Sequence, residues 1–119
     1  MKKCILIYDD DQEILFVCKA ILEKGNYRVV TKVLCDNIIE DLSAEKPDLV
    51  LMDLWIPEMG GEKAISLMKH DPDTQNIPVI LFSANDEIEE ISKRSNADNY
   101  FKKPFGIAEL AAVVKNNLP

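Results

Sequence analysis

Short apolar runs that end abruptly in a polar residue alternate along this chain with stretches in which apolar residues recur every three or four positions. Residues 3–8 (KCILIY) run directly into three acids, the pattern of a buried strand whose end emerges into a polar setting. From Gln12 to Lys24 the residues Ile14, Leu15, Val17, Cys18, Ile21 and Leu22 keep helical spacing, and Gly25-Asn26 supplies a stop. Tyr27–Leu34, rich in Val and Thr, reads as strand two, and Asp36–Ser43 as a short amphipathic helix. Asp48–Met52 is a third buried strand running into Asp53, followed by a loop from Trp55 to Gly61 and a helix over Glu62–His70. HDPDTQN is turn chemistry before strand four, Ile77–Phe82, which ends at Ser83. Helix four is expected over Asp86–Ser95, strand five over Asn99–Lys102 and helix five over Gly106–Asn117.

Five strands alternating with five helices predict an α/β fold, a parallel sheet with right-handed crossovers and helices on both faces. Ligands of such sheets bind beyond the carboxyl ends of the strands.

Composition narrows the class. The 119 residues are 47% hydrophobic and 29% charged, which suits one globular domain spanning 1–119. A formal charge of −7 argues against direct nucleic-acid binding and against an anionic lipid surface. Cys4, Cys18 and Cys35 sit among apolar residues without metal-ligand spacing, so reduced, packed thiols are expected. No apolar run reaches the roughly 18 residues of a membrane span, and MKKCILIYDDD turns acidic too early for a signal peptide. A soluble cytoplasmic protein is the expectation.

The strand-end rule gathers five polar residues on one edge of the sheet. Asp9 and Asp10 follow strand one, Asp53 strand three, Ser83 strand four and Lys103 strand five. Three carboxylates so close together repel unless a cation neutralises them. A hard divalent ion suits them, and Mg2+ typically takes one or two carboxylates, waters and a phosphate oxygen. A phosphoryl-handling site follows. Taken singly, each residue has a plainer explanation: a strand-end Asp is usually a loop residue or cap, Ser83 a turn residue, Lys103 a solvated charge. Their coincidence at successive strand ends outweighs that explanation. Asp11 stays with it, as the cap of helix one, and so do His70 as a surface residue or helix cap and Asp86, Glu87, Glu89 and Glu90 as a solvated face.

The strand ILIYDD, the segment LVLMDLWIPEMGG, the segment IPVILFSA and the ending ADNYFKKPF together resemble the response-regulator receiver family of bacterial two-component signalling, over the whole chain. The resemblance implies a doubly wound, flavodoxin-like five-stranded sheet of order 2-1-3-4-5, an order already known from a member of that family. It implies that Asp53 is the phosphoacceptor and nucleophile toward a phosphohistidine of a sensor histidine kinase, a phosphotransfer protein or a small phosphodonor. Asp10, Asp53 and the backbone carbonyl of Trp55 would bind Mg2+, with Asp9 acting through water. Ser83 would bond a phosphoryl oxygen, Lys103 would offset its charge, and Tyr100 would be the aromatic that swings inward on switching. Lys103-Pro104 would be a cis peptide. The face of helix four, strand five and helix five would meet a downstream protein. Such a chain is a signalling switch that catalyses only its own phosphorylation and dephosphorylation.

The sequence departs from the family pattern at Gly60, where Asp is frequent, and at Asn96, where Gly is usual before Ala97-Asp98. Asn tolerates the left-handed conformation a helix end needs. The bulky Trp55, two residues past Asp53, stands where side chains shade the phosphate from water. Two rivals remain at this point: a receiver-like module that binds partners without phosphotransfer, and a flavin carrier of the same topology. Against the second, strand one is followed by DDDQ rather than by a Ser/Thr/Gly phosphate loop.

Overall fold

A computed structural model describes residues 2–119. Five strands, β1 (Cys4–Tyr8), β2 (Arg28–Lys32), β3 (Leu49–Asp53), β4 (Val79–Ser83) and β5 (Asn99–Lys102), alternate with α1 (Gln12–Lys24), α2 (Ile38–Glu45), α3 (Gly61–Lys69), α4 (Ile88–Ser95) and α5 (Ile107–Asn117). All pairings are parallel, and the order is β2-β1-β3-β4-β5, as the resemblance implied.

Strand side chains alternate between two apolar layers, as the period of two requires. Leu6, Val50, Met52 and Leu81 pack with α2, α3 and α4 on one face. Ile5, Ile7, Leu49, Leu51, Ile80 and Phe82 pack with α1 and α5 on the other. With both faces covered, β1, β3 and β4 are buried throughout, so their sequences read as unbroken apolar runs rather than alternating ones. Two carboxylates tie neighbouring elements at the opposite edge of the sheet. Asp48 accepts from the Cys4 amide at 2.7 Å and Asp98 from the Val79 amide at 2.8 Å, and Asp98 also holds Lys69 at 2.6 Å.

Several boundaries differ from expectation. β2 stops at Lys32, because its partner β1 stops at Tyr8 in register with it; Val33 and Leu34 leave the sheet exposed. The second helix starts at Ile38 and runs through Glu45, since Asn37 rather than an earlier residue caps it, accepting from the Glu40 amide at 3.1 Å. The fourth starts at Ile88 rather than Asp86. Ser83 Oγ accepts from the Asn85 amide at 3.1 Å and Asn85 Oδ1 from the Glu87 amide at 2.7 Å, a local pairing that competes with helix. Asn96 ends α4 at φ 68°, the left-handed conformation anticipated for it. His70 is the cap residue of α3, and Cys4, Cys18 and Cys35 are free and buried. Among the described residues no helix is long and apolar enough to cross a membrane.

Candidate functional site

The carboxyl ends of β1, β3 and β4 bring the acids and the hydroxyl to one edge. Asp53 is the last residue of β3 and only 5% exposed, Ser83 the last of β4, and Asp9 follows β1 in a buried position. Asp10 is exposed beside them. One carboxylate oxygen from each of Asp9, Asp10 and Asp53 lies within 4.8 Å of the others. Asp11 stays outside this group and caps α1, accepting from the Glu13 amide at 2.9 Å.

Lys103 enters from just past β5. Its amide donates to Ser83 O at 2.9 Å, which carries the β4 pairing one residue beyond the strand, and Lys103-Pro104 is cis. Its ammonium donates to Asp9 Oδ2 at 2.7 Å and to Asp53 Oδ1 at 3.0 Å, and it lies 4.6 Å from the centre of the Phe82 ring. Burial alone would pull the Lys103 ammonium down, but its hydrogen bonds to Asp9 and Asp53 outweigh that and hold it above its ordinary value. Asp53 behaves differently: burial pushes its carboxyl up, Lys103 pulls it back, and Asp9 and Asp10 push it up again, for a net rise. One ammonium shared between two carboxylates leaves Asp53 only partly compensated. The edge carries three carboxylates against one cation, and the three residues placed to share an ion all offer oxygen. That donor set fits Mg2+ rather than a softer metal.

The loop after Asp53 alternates inward and outward. Leu54 and Ile56 are buried, while Trp55 between them is 71% exposed. Gly60 adopts φ 82°, and Gly61 packs so closely that a Cβ there would lie 2.3 Å from Asp53 O. Cys35 clasps this loop from the β2–α2 side, donating from its amide to Pro57 O at 3.1 Å and accepting from the Met59 amide at 3.0 Å. Tyr100 lies on β5, 38% exposed.

Three contacts escaped sequence reasoning. The Tyr8 hydroxyl, fully buried, donates to Asp41 Oδ2 at 2.5 Å; burial and that carboxylate drive the phenol far above its ordinary value. A tyrosine within an otherwise aliphatic strand was the available signal, since a buried hydroxyl needs a partner. The Asn85–Ser83 link and the Phe82 ring under Lys103 adjoin a predicted site residue but have no motif of their own.

The family model described as response regulator receiver domain matches residues 5–115. The chain belongs to the response regulator receiver domain family. As a receiver domain it is 35% identical to sporulation initiation phosphotransferase F of Bacillus subtilis over 121 aligned positions, covering 100% of this chain and 96% of that protein. It is 32% identical to the phosphate regulon transcriptional regulatory protein PhoB of Klebsiella pneumoniae, over 97% of this chain and 51% of that one. This receiver domain thus spans about half the length of PhoB and of several other regulators it matches. Among solved structures, the receiver domain of a Pseudomonas aeruginosa sensor histidine kinase superposes with TM-score 0.88 at 24% identity, covering 98% of each chain; it holds a magnesium ion in its active-site cleft.

Proposed function

We propose that this receiver domain accepts a phosphoryl group on Asp53 from the phosphohistidine of a sensor histidine kinase or phosphotransfer protein, inside the cell, and works as a switch for a downstream protein. The observation that carries the reading is the buried Asp53 carboxylate, incompletely compensated by Lys103 and grouped with Asp9 and Asp10. A carboxylate oxygen of Asp53 attacks phosphorus in line with the leaving imidazole nitrogen. The phosphorus–nitrogen bond breaks as the phosphorus–oxygen bond forms, and the imidazole leaves with its electron pair and takes up a proton.

Asp10, Asp53 and the Trp55 carbonyl are the residues to hold Mg2+, with Asp9 acting through water. When bound, the ion offsets the carboxylate charge and the charge on the transferring oxygens. Lys103 moves its ammonium toward the new phosphoryl oxygens, to which a charge-assisted bond is stronger than to a shared carboxylate. Ser83 Oγ already accepts from Asn85, so its own hydrogen is free to donate to a phosphoryl oxygen. Drawing Ser83 inward pulls on Asn85 and Tyr100 and remodels the face of α4, β5 and α5. Beyond phosphorylating and dephosphorylating itself, the domain does no chemistry.

The test is acetyl phosphate labelling with and without magnesium, in the native protein and in Asp53→Asn. Labelling that needs magnesium and vanishes in the variant supports the reading; no labelling of the native protein, with partner binding intact, replaces it with a module that works without phosphotransfer.

A further inference from the structure

Lys103 stands just past β5, yet its ammonium acts two strands away, on Asp53 of β3 and on Asp9 beyond β1. To reach them the side chain crosses β4, and the residue it crosses is Phe82. In-register neighbours of a parallel sheet share a face, so the pairing of Asp53 with Phe82 sets the carboxyl and the ring side by side. The ring is fully buried, and the ammonium lies over it, 4.6 Å from its centre. Phe105, two residues beyond Lys103, packs against the same ring with centres 6.5 Å apart, so Phe82 meets the segment 103–105 twice.

An aliphatic side chain in that position would take water from the ammonium and return nothing, whereas the negative face of a benzene ring attracts a cation. Burial is the largest single influence on Lys103 and works against its charge, which gives that attraction weight here. It also differs in kind from the bonds to Asp9 and Asp53. A hydrogen bond has a direction and is lost when its acceptor moves or is esterified, while a ring face tolerates a shift of the nitrogen across it.

We propose that Phe82 is a positioning residue for phosphoryl transfer, its ring face holding the Lys103 ammonium at the acceptor edge while the ammonium exchanges carboxylate oxygens for phosphoryl oxygens. The lysine then stays over one surface throughout and is not recaptured from solvent at each transfer. The exchange rests on the phosphoacceptor reading; the resting contact between ring and ammonium does not.

Fluorinated phenylalanines in place of Phe82 keep the shape of the ring and progressively remove the negative charge of its face, so they separate attraction from packing. The rate of acetyl phosphate labelling at saturating magnesium should fall stepwise with added fluorine, by about tenfold once the face is neutral. The same residues in place of Phe101, whose ring packs on Phe105 at 4.9 Å, are the control for packing and should leave the rate nearly unchanged. Circular dichroism checks that each substituted protein keeps its fold. A flat series at Phe82, or equal slopes at Phe82 and Phe101, overturns the positioning role. In the native protein the ε-methylene protons of Lys103 should resonate upfield of those of the other lysines, through the ring current of Phe82, and should stay upfield when magnesium and beryllofluoride, a phosphoryl mimic, are added. Their return to the ordinary position with the mimic overturns the exchange over the ring, and an ordinary position in the free protein overturns the resting contact. If the native protein takes no label while the upfield position is present, the phosphoacceptor reading falls and the exchange with it, and the resting contact remains.

Discussion

Lys103 Nζ and Asp53 Oδ1 meet at 3.0 Å across 50 positions of sequence, and the same ammonium sits closer still, at 2.7 Å, to Asp9. The cation is therefore divided, and the Asp53 carboxylate keeps part of its burial and repulsion cost.

That cost has a sign. Burial, with Asp9 and Asp10 behind it, raises the Asp53 carboxyl above its ordinary 3.8, so the folded state holds this proton more tightly than the unfolded state. The stabilisation it gives is complete below the unfolded value and is lost as pH rises through the folded one. Asp53→Asn removes the charge while Lys103 keeps Asp9. Its Tm should exceed the native value by a few degrees near pH 7, and the gap should close as pH falls toward about 4. Paired thermal melts across that range measure it, and a gap that widens in acid contradicts the assignment.

Magnesium should raise the native Tm, because an ion that binds only the folded cluster stabilises by about 2.7 kcal/mol at a hundredfold excess over its dissociation constant. Asp10 is exposed and makes no competing contact with Lys103, so Asp10→Ala should remove most of this gain at little cost to the metal-free fold. A full magnesium shift in that variant would place the ion elsewhere.

Gly60 and Gly61 should behave oppositely in activity. At Gly61 an added Cβ meets the Asp53 carbonyl oxygen at 2.3 Å and Leu54 Cα at 2.9 Å, both backbone atoms that cannot turn aside. Gly61→Ala should cost about 1–3 kcal/mol and, by shifting Asp53, sharply slow acetyl phosphate labelling. Gly60→Ala enters open space at φ 82° and should cost about 1–2 kcal/mol of stability with labelling nearly unchanged. Chemical denaturation and labelling rates on the two variants separate these outcomes.

Trp55→Ala keeps the backbone carbonyl and removes an exposed indole that lines the same groove as Asn85, where the proposed function would have it shade the phosphoryl group. With that cover gone, water should reach the acyl phosphate more freely and its lifetime should shorten several-fold, as followed by loss of label. An unchanged or longer lifetime would mean that the indole does not shade the phosphoryl group.

Element order and the polar edge were legible in the sequence because parallel strands buried on both faces leave uninterrupted apolar runs, and each run ended at a residue of the site. Sequence spacing put Asp9, Asp53 and Ser83 at strand ends, and there they are. The start of α4 was not legible, because whether Asp86 and Glu87 enter the helix is decided by the Ser83 and Asn85 side chains competing for nearby backbone amides. The end of β2 depended on where β1 stops, a pairing that a linear pattern does not carry. Trp55 could be placed in the loop from the sequence, but its exposure reflects the neighbours Leu54 and Ile56 taking the core positions.

The bond from the Lys103 amide to the Ser83 carbonyl makes one residue serve two structures at once. β5 is an edge strand with a neighbour on one side only, and this is the final rung that holds it to β4. The residue whose side chain answers to charge at Asp53 thus also fastens the free margin of the sheet. Hydrogen exchange at this single amide therefore reports how firmly the last rung of the edge strand is held, on the same residue whose ammonium meets Asp53.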